Sequence, residues 1–177
     1  MFLKSEKISL RAIESFDVEL IYNWENEMKF WSVSNTILPF SRKNIEDYVN
    51  SIHDLYSDKQ LRLVIELNET KKAIGLIDLY DFDPFHSRAG VGILLADSQF
   101  RKQGLATEAL NLLINYSFNT LLIHQLHCLI NTENEDSFQL FSKRGFQVVG
   151  ILKDWTLSKE GYENAYLMQL INYDLIL

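Results

Sequence analysis

The segment spanning residues 99–108 constrains the fold of this chain more than any other stretch. It reads QFRKQGLATE, follows the apolar run at residues 92–96 and opens a strongly periodic helical pattern. A strand, a polar turn with glycine and a helix start together expose backbone N–H groups that have no partner inside the helix. The helix dipole adds partial positive charge there, and Gly104 has no Cβ to keep a ligand away. The sequence therefore predicts a phosphate-binding turn between a strand and a helix.

Two common nucleotide-binding motifs do not describe this turn. The Walker pattern needs Gly-Lys-Ser/Thr, but Gly104 is followed by Leu105 and Ala106. Residues 90–92 (GVG) begin like a dinucleotide fingerprint, but Leu95 occupies the position of the third glycine. That triplet also lies inside a predicted strand and does not open a helix. A different phosphate-binding architecture is required.

Composition indicates a well-cored globular protein with an acidic surface. The 177 residues are 47% hydrophobic, with two prolines and seven glycines, and we expect a single domain over residues 1–177. The formal charge of −7 argues against nucleic-acid binding. The N-terminus lacks a signal-peptide core, no apolar run is long enough to span a membrane, and the one cysteine, Cys128, fits a reducing compartment. We expect a cytoplasmic protein without membrane contact.

Hydrophobic periodicity predicts strands and helices in alternation. We expect helices that begin at caps Ser15 and Ser41, a helix from Leu105 and a short helix over residues 137–143. The predicted strands cover residues 8–12, 61–67, 73–82, 89–95, 125–130, 148–152 and 165–171. This order predicts an α/β (α+β) fold in which a mixed, mainly antiparallel sheet of six to seven strands is flanked by about four helices.

Two segments carry a resemblance to a known family. Arg101-x-x-Gly104-x-Ala106, between a strand and a long helix, resembles the pyrophosphate-binding motif of the GCN5-related N-acetyltransferases (the GNAT superfamily). Residues 134–146 (NEDSFQLFSKRGF) resemble the second cofactor segment of that family. The N-terminal residues 8–11 (ISLR), with Asp17 and Trp24 after them, resemble the branch that contains ribosomal-protein and spermidine/spermine N-acetyltransferases. The resemblance covers nearly the whole chain.

The resemblance implies a GNAT fold, acetyl-CoA as cofactor and a set of cofactor contacts. The backbone of Ile93, Leu94 and Leu95 would pair with the pantetheine arm, and a backbone N–H near Leu94 would stabilise the thioester oxyanion. Asn134 would bond the arm near its reactive end. The other implied contacts are Arg101, Lys102, Gln103, Gly104, Leu105, Ala106 and Thr107 around the pyrophosphate, and Ser137, Phe141 and Lys143 along the cofactor.

The chain departs from the family pattern at two catalytic positions. Many relatives have a tyrosine that protonates the departing thiolate where this chain has Phe141, whose ring either packs in the core or contacts the cofactor. Relatives often have a glutamate at the position of Gly90. We expect the proton from the amine to be taken by Asp78, because it faces away from its apolar strand neighbours. Asp81, Glu133 and His86 remain as other candidates.

The residues that bind the acceptor are expected mainly in the N-terminal region. Substrate loops in this family come from the N-terminal region, where carboxylates alternate with aromatic residues that could hold an ammonium group. The expected acceptor contacts are Trp24, Glu25, Glu27, Trp31 and Asp81. Core packing of the aromatic rings and solvation of the acids would explain the same pattern. His124 and His127 lack further ligands at zinc-like spacing, so we interpret them as structural or surface residues and expect no metal.

We therefore expect an acetyl-CoA-dependent N-acetyltransferase that acts by direct attack of a primary amine in a ternary complex. The acidic balance favours a small polyamine-like acceptor, and a peptide N-terminus of the ribosomal-protein type is the alternative. A CoA-binding regulatory module without turnover is a third hypothesis, motivated by Phe141 and Gly90. The chain could also assemble as a homo-oligomer.

Overall fold

A computed structural model of the chain describes residues 3–34, 36–158 and 161–174. The described residues form seven strands, six α-helices and two short 3-10 helices. The chain divides into two compact units. The smaller unit is Ala12–His53, and the larger unit contains the chain up to Arg11 and from Asp54 onward.

The smaller unit contains three helices: α1 (Val18–Glu25), α2 (Met28–Ser34) and α3 (Arg42–Val49). Ser41 caps α3 as predicted, because its hydroxyl accepts a hydrogen bond from the Asn44 N–H at 3.1 Å. The predicted cap at Ser15 is wrong. A 3-10 turn precedes α1 and is closed by a capping box between Glu14 and Asp17, while the Ser15 hydroxyl donates to Asn50.

The larger unit is built on one seven-stranded sheet. Its strands are β1 (Ile8–Arg11), β2 (Leu61–Leu67), β3 (Ala73–Asp83), β4 (Arg88–Leu95), β5 (Gln125–Asn131), β6 (Gln147–Ser158) and β7 (Gly161–Ile171). They lie in the order β1-β2-β3-β4-β5-β7-β6. Only β4 and β5 run parallel among these neighbouring pairs. The predicted mixed, mainly antiparallel sheet is confirmed.

Three helices belong to this unit: α4 (Leu55–Asp58), α5 (Leu105–Asn119) and α6 (Glu135–Ser142). The apolar face of α5 is buried in the main core, as its periodicity predicts. Core residues on the sheet include Ile77 and Leu79 of β3 and Leu126 and Cys128 of β5. Because side chains alternate along a strand, the residues between them lie on the other face of the sheet.

Candidate active site

Strands β4 and β5 pair over a short length and then separate. Their register pairs are Arg88 with Gln125, Ala89 with Leu126, and Gly90 with His127. Both strands are fully described, and no pairing between them continues beyond His127. Residues 91–95 and 128–131 therefore border a gap, here named the β4–β5 cleft. An unpaired strand edge presents N–H and C=O groups, so this edge of β4 can pair with an amide-containing ligand.

The backbone direction along β4 corrects one expected contact. The N–H of Ala96 donates to the carbonyl of Ile74 at 3.0 Å. The carbonyl of Leu94 also points at β3, because a Cβ added to Gly75 would lie 2.0 Å from that oxygen. Since successive residues of a strand direct their backbone groups to opposite edges, Ile93 faces the β4–β5 cleft and Leu94 does not. Leu95 shares the edge of Ile93. For the oxyanion contact expected near Leu94, this geometry favours the neighbouring backbone N–H of Ile93.

The glycine turn opens α5 in the way that the sequence predicts. Gly104 is the N-cap residue and adopts a left-handed conformation with φ of +80°. Among the described residues, no side chain caps the helix there and no heavy atom lies within 4 Å of a Cβ added to Gly104. The first-turn amides thus face open space beside a positive helix end. The turn residues Arg101, Lys102, Gln103 and Gly104 are exposed, Ala106 and Thr107 are half-buried, and Leu105 is buried.

Asn134 is the N-cap residue of α6, and its side chain stabilises the start of that helix. Its side-chain oxygen accepts a hydrogen bond from the Ser137 N–H at 3.1 Å, which caps the helix. Ser137 is half-buried and Lys143, after the last turn, is exposed. Phe141 is only 3% exposed and packs edge-to-face on Phe146, with ring centroids 5.0 Å apart. Of the two roles left open for Phe141, core packing is the one that the structure shows.

Asp78 is held by an arginine on the neighbouring strand. The Nε and one terminal nitrogen of Arg62 donate to the two carboxylate oxygens of Asp78, at 2.9 and 3.0 Å. Burial raises the pKa of Asp78, and the charge and hydrogen bonds of Arg62 oppose that shift. Because both oxygens are engaged in a bidentate pair, this carboxylate is poorly placed to accept a proton from an amine. The role of Asp78 as the base stays a prediction, and the other groups near the cleft are alternatives to it.

Tyr80 fills the space that a side chain at position 90 would need. A Cβ added to Gly90 would lie 2.3 Å from Cε2 of Tyr80, whereas one added to Gly92 would meet that ring at 3.9 Å. The Tyr80 ring also contacts His127 edge-to-face, with centroids 6.0 Å apart. Burial is the main reason that the pKa of Tyr80 rises to about 12. Neither Tyr80 nor His127 was predicted as a site residue. The sequence marks this place only by Gly90, which lies opposite Tyr80 on β3 and opposite His127 on β5.

The other expected residues lie in two places. In the smaller unit, Trp31 donates from its indole nitrogen to the Glu25 carbonyl at 2.9 Å, and Glu27 pairs with Lys29 at 3.4 Å. Trp24 is half-buried. In the larger unit, the exposed Asp81 lies where the β3–β4 register shifts.

The two remaining base candidates, Glu133 and His86, are exposed, and the backbone N–H of each is bonded to a nearby side chain. The described residues contain no group of three or more His, Cys, Asp or Glu side chains that could hold a metal ion. None of the described helices is long and apolar enough to cross a membrane.

A mixed sheet whose two parallel strands diverge before a glycine turn and a helix N-terminus defines the class of acyl-CoA-dependent acyltransferases. The chain belongs to the GNAT acetyltransferase family, because the model of the acetyltransferase (GNAT) domain matches residues 7–147. The predicted family and enzyme class are confirmed.

Relatives and solved structures are similar over almost their full length. An uncharacterized N-acetyltransferase, p20, of Bacillus licheniformis is 28% identical over 96% of this chain and 95% of that protein. Spermidine N(1)-acetyltransferase of Escherichia coli K12 is 27% identical over 97% of this chain and 90% of that protein. The structure of spermidine N-acetyltransferase from Vibrio cholerae in complex with CoA and spermine superposes with a TM-score of 0.85 at 24% identity, covering 94% and 96% of the two chains.

The cofactor of the family is acetyl-CoA, and the described residues fit it. The open space over Gly104 and the uncapped start of α5 suit a pyrophosphate. The edge of β4 at Ile93 and Leu95 suits the amides of a pantetheine arm. When bound, the cofactor supplies an acetyl thioester to the site.

Proposed function

We propose that this acetyltransferase acetylates a primary amine of a small polyamine-like molecule. The observation that carries the proposal is the β4–β5 cleft, whose free edge ends at the glycine turn. The formal charge of −7 favours a cationic acceptor, as does the exposed carboxylate of Asp81, which acts electrostatically on His127 where the β4–β5 pairing ends. The spermidine acetyltransferase that is 27% identical over nearly the whole chain supports the same acceptor class.

Transfer is proposed to be direct, without an acetylated enzyme. Cys128 is the one cysteine of the chain, and it is a free thiol that is 1% exposed. Burial raises its pKa to about 12, so the nucleophilic thiolate is scarce at neutral pH. The amine nitrogen then has to attack the thioester itself, and a backbone N–H on the cleft edge, which we assign to Ile93, would stabilise the oxyanion. A buried free thiol also fits a cytoplasmic location.

The family match crosses the boundary between the two units, which supports one acetyltransferase domain over residues 1–177. Strand β6 forms an edge of the sheet and exposes large apolar side chains, which would suit a contact between copies of this chain. These side chains are Val148, Val149, Ile151, Trp155 and Leu157.

An acceptor panel tests the activity. Release of free thiol from acetyl-CoA would be followed with spermidine, spermine, lysine and peptides that begin with serine or alanine. We expect turnover with the polyamines. Turnover with the peptides alone would instead support a protein N-terminal acetyltransferase, and tight CoA binding without release for any acceptor would support a regulatory module.

The Gly104→Val variant tests the cofactor site separately. A β-branched side chain would enter the open space at the start of α5, so the affinity for CoA should fall at least tenfold by calorimetry. Gly161→Val is the matched control, because Gly161 also has a positive φ (+122°) and none of the described residues lies within 4 Å of its Cβ position. An unchanged affinity in Gly104→Val would contradict the pyrophosphate assignment.

A further inference from the structure

His127 lies where the β4–β5 cleft closes. It forms the last register pair between the two strands, opposite Gly90. Its side chain is on the face of β5 that lies opposite Leu126 and Cys128, which are in the core. It is half-buried, and the ring of Tyr80 contacts it edge-to-face. The imidazole therefore packs against the Tyr80 ring at the closed end of the cleft.

The reactive end of the cofactor should point toward this closed end. The glycine turn follows the C-terminal end of β4, so a ligand whose pyrophosphate lies at Gly104 has its arm running back along β4. That direction leads from Leu95 past Ile93 toward Gly90. A strand advances about 3.3 Å per residue, so Ile93 and Gly90 are about 10 Å apart along β4. An acceptor nitrogen that attacks from the closed end enters this interval, on the side of His127, where a base acts directly or through one water.

We infer that His127 accepts the proton of the acceptor amine, directly or through one water, and that Tyr80 is its positioning residue. This inference rests on the proposed function. The Tyr80 ring occupies the volume that a side chain at position 90 would take, so the position of the family glutamate is closed. The imidazole directly across from Gly90 supplies a proton acceptor in the same neighbourhood.

The chemical state of His127 suits this role. Burial is the main cause that lowers its pKa, and Arg88 acts in the same direction. The carboxylate of Asp81 and a hydrogen bond to the backbone of Ala89 act in the opposite direction. Tyr80 stays protonated and uncharged at neutral pH, and the β7 residue opposite His127 is the uncharged Gln169. A neutral imidazole that donates through one nitrogen keeps the other nitrogen as an acceptor.

The proton balance of the transfer is complete with these groups. The imidazole takes one proton from the ammonium, and the neutral nitrogen forms the C–N bond as the C–S bond breaks. The second proton lost by the nitrogen passes to the departing sulfur, which leaves as the thiol. The imidazolium returns its proton to solvent, so each turnover releases one proton.

The His127→Gln variant, made in the full chain, tests the role by its pH profile. With spermidine, native kcat/KM should rise with pH below pH 6.5, as His127 loses its proton; this rise is the acid limb of the profile. Above it, kcat/KM should stay level up to the amine pKa of about 10.4. In the variant, kcat/KM should be about 10²- to 10⁴-fold lower at pH 7 and should rise about tenfold per pH unit as free amine forms. Its affinity for CoA should stay within threefold. His53→Gln is the matched control and should keep the native profile.

NMR titration of the histidine side chains gives a readout that does not depend on turnover. The resonance missing in His127→Gln should titrate below the ordinary histidine pKa of about 6.5. A His127 pKa at or above the ordinary histidine value of about 6.5, or a level profile in the variant, would overturn the inference while the proposed function stands. Loss of the acid limb in His86→Gln would also overturn it. Absence of thiol release by the native chain with every amine would overturn the proposed function itself.

Tyr80→Phe, which keeps the ring, should lose less than tenfold in kcat/KM.

Discussion

Adding one methyl group at Gly90 should destabilise the fold, although alanine normally suits a strand better than glycine. The added Cβ would lie 2.3 Å from Cε2 of Tyr80 and 2.4 Å from Cζ. An ordinary van der Waals contact begins at 3.4 Å, so the ring has to move by about 1 Å. The ring is half-buried between β4 and His127, and such overpacking costs about 1–3 kcal/mol.

Gly92→Ala is a nearly ideal control for this change. Gly92 is two residues along the same strand and on the same face, but its added Cβ would meet its nearest neighbour at 3.9 Å. Alanine should stabilise that position by about 0.5–1 kcal/mol, because glycine loses more backbone entropy on folding. Urea unfolding of both variants should therefore differ by about 1.5–4 kcal/mol, with Gly92→Ala the more stable.

A double-mutant cycle identifies the cause of the loss. In a Tyr80→Ala background the clash is removed, so Gly90→Ala should become neutral or stabilising, with a coupling free energy of about 1–3 kcal/mol. Equal stabilities of Gly90→Ala and Gly92→Ala would refute the steric reasoning. A loss in Gly90→Ala that persists unchanged without the Tyr80 ring would refute it as well.

Three further changes test other parts of the site. Phe141→Tyr should cost about 1–3 kcal/mol in urea unfolding and give no gain in kcat, because its hydroxyl would enter the core beside Phe146. Cys128→Ala should keep kcat within threefold in the thiol-release assay and cost about 1 kcal/mol of stability, since direct transfer needs no thiol nucleophile; loss of turnover would indicate a covalent route. Asp78→Asn should lower stability by about 2–4 kcal/mol through the loss of the ion pair with Arg62 while the pH profile keeps its native shape. A lost acid limb in this variant would return the role of base to Asp78.

The sheet and the glycine turn could be predicted from the sequence because their signals are local. The strands at residues 61–67 and the start of α5 at Leu105 match the structure. β6 was predicted to end at Leu152, but it continues to Ser158, because pairing with β7 resumes beyond an irregularity in the register. The helices α2 and α4 were missed, since seven and four residues are too few for a clear apolar period.

The catalytic neighbourhood depends on contacts that local patterns do not contain. The ion pair between Arg62 and Asp78 joins residues 16 positions apart on two strands, so the sequence shows Asp78 only as an unassigned carboxylate. The edge to which Leu94 directs its backbone depends on the register with β3. His127 was interpreted as a surface or structural residue because its partners, Tyr80 and the end of the β4–β5 pairing, are distant in sequence.

The two departures from the family pattern have different physical meanings. Phe141 is a residue of the core, and its ring packs on Phe146. Gly90 is tied to Tyr80, because no side chain at position 90 can coexist with that ring in its present place. A glutamate restored at position 90 would therefore displace Tyr80 and the support that it gives to His127. The glycine at position 90 and the half-buried Tyr80 therefore depend on each other, so the effect of changing either residue on catalysis has to be measured together with the other.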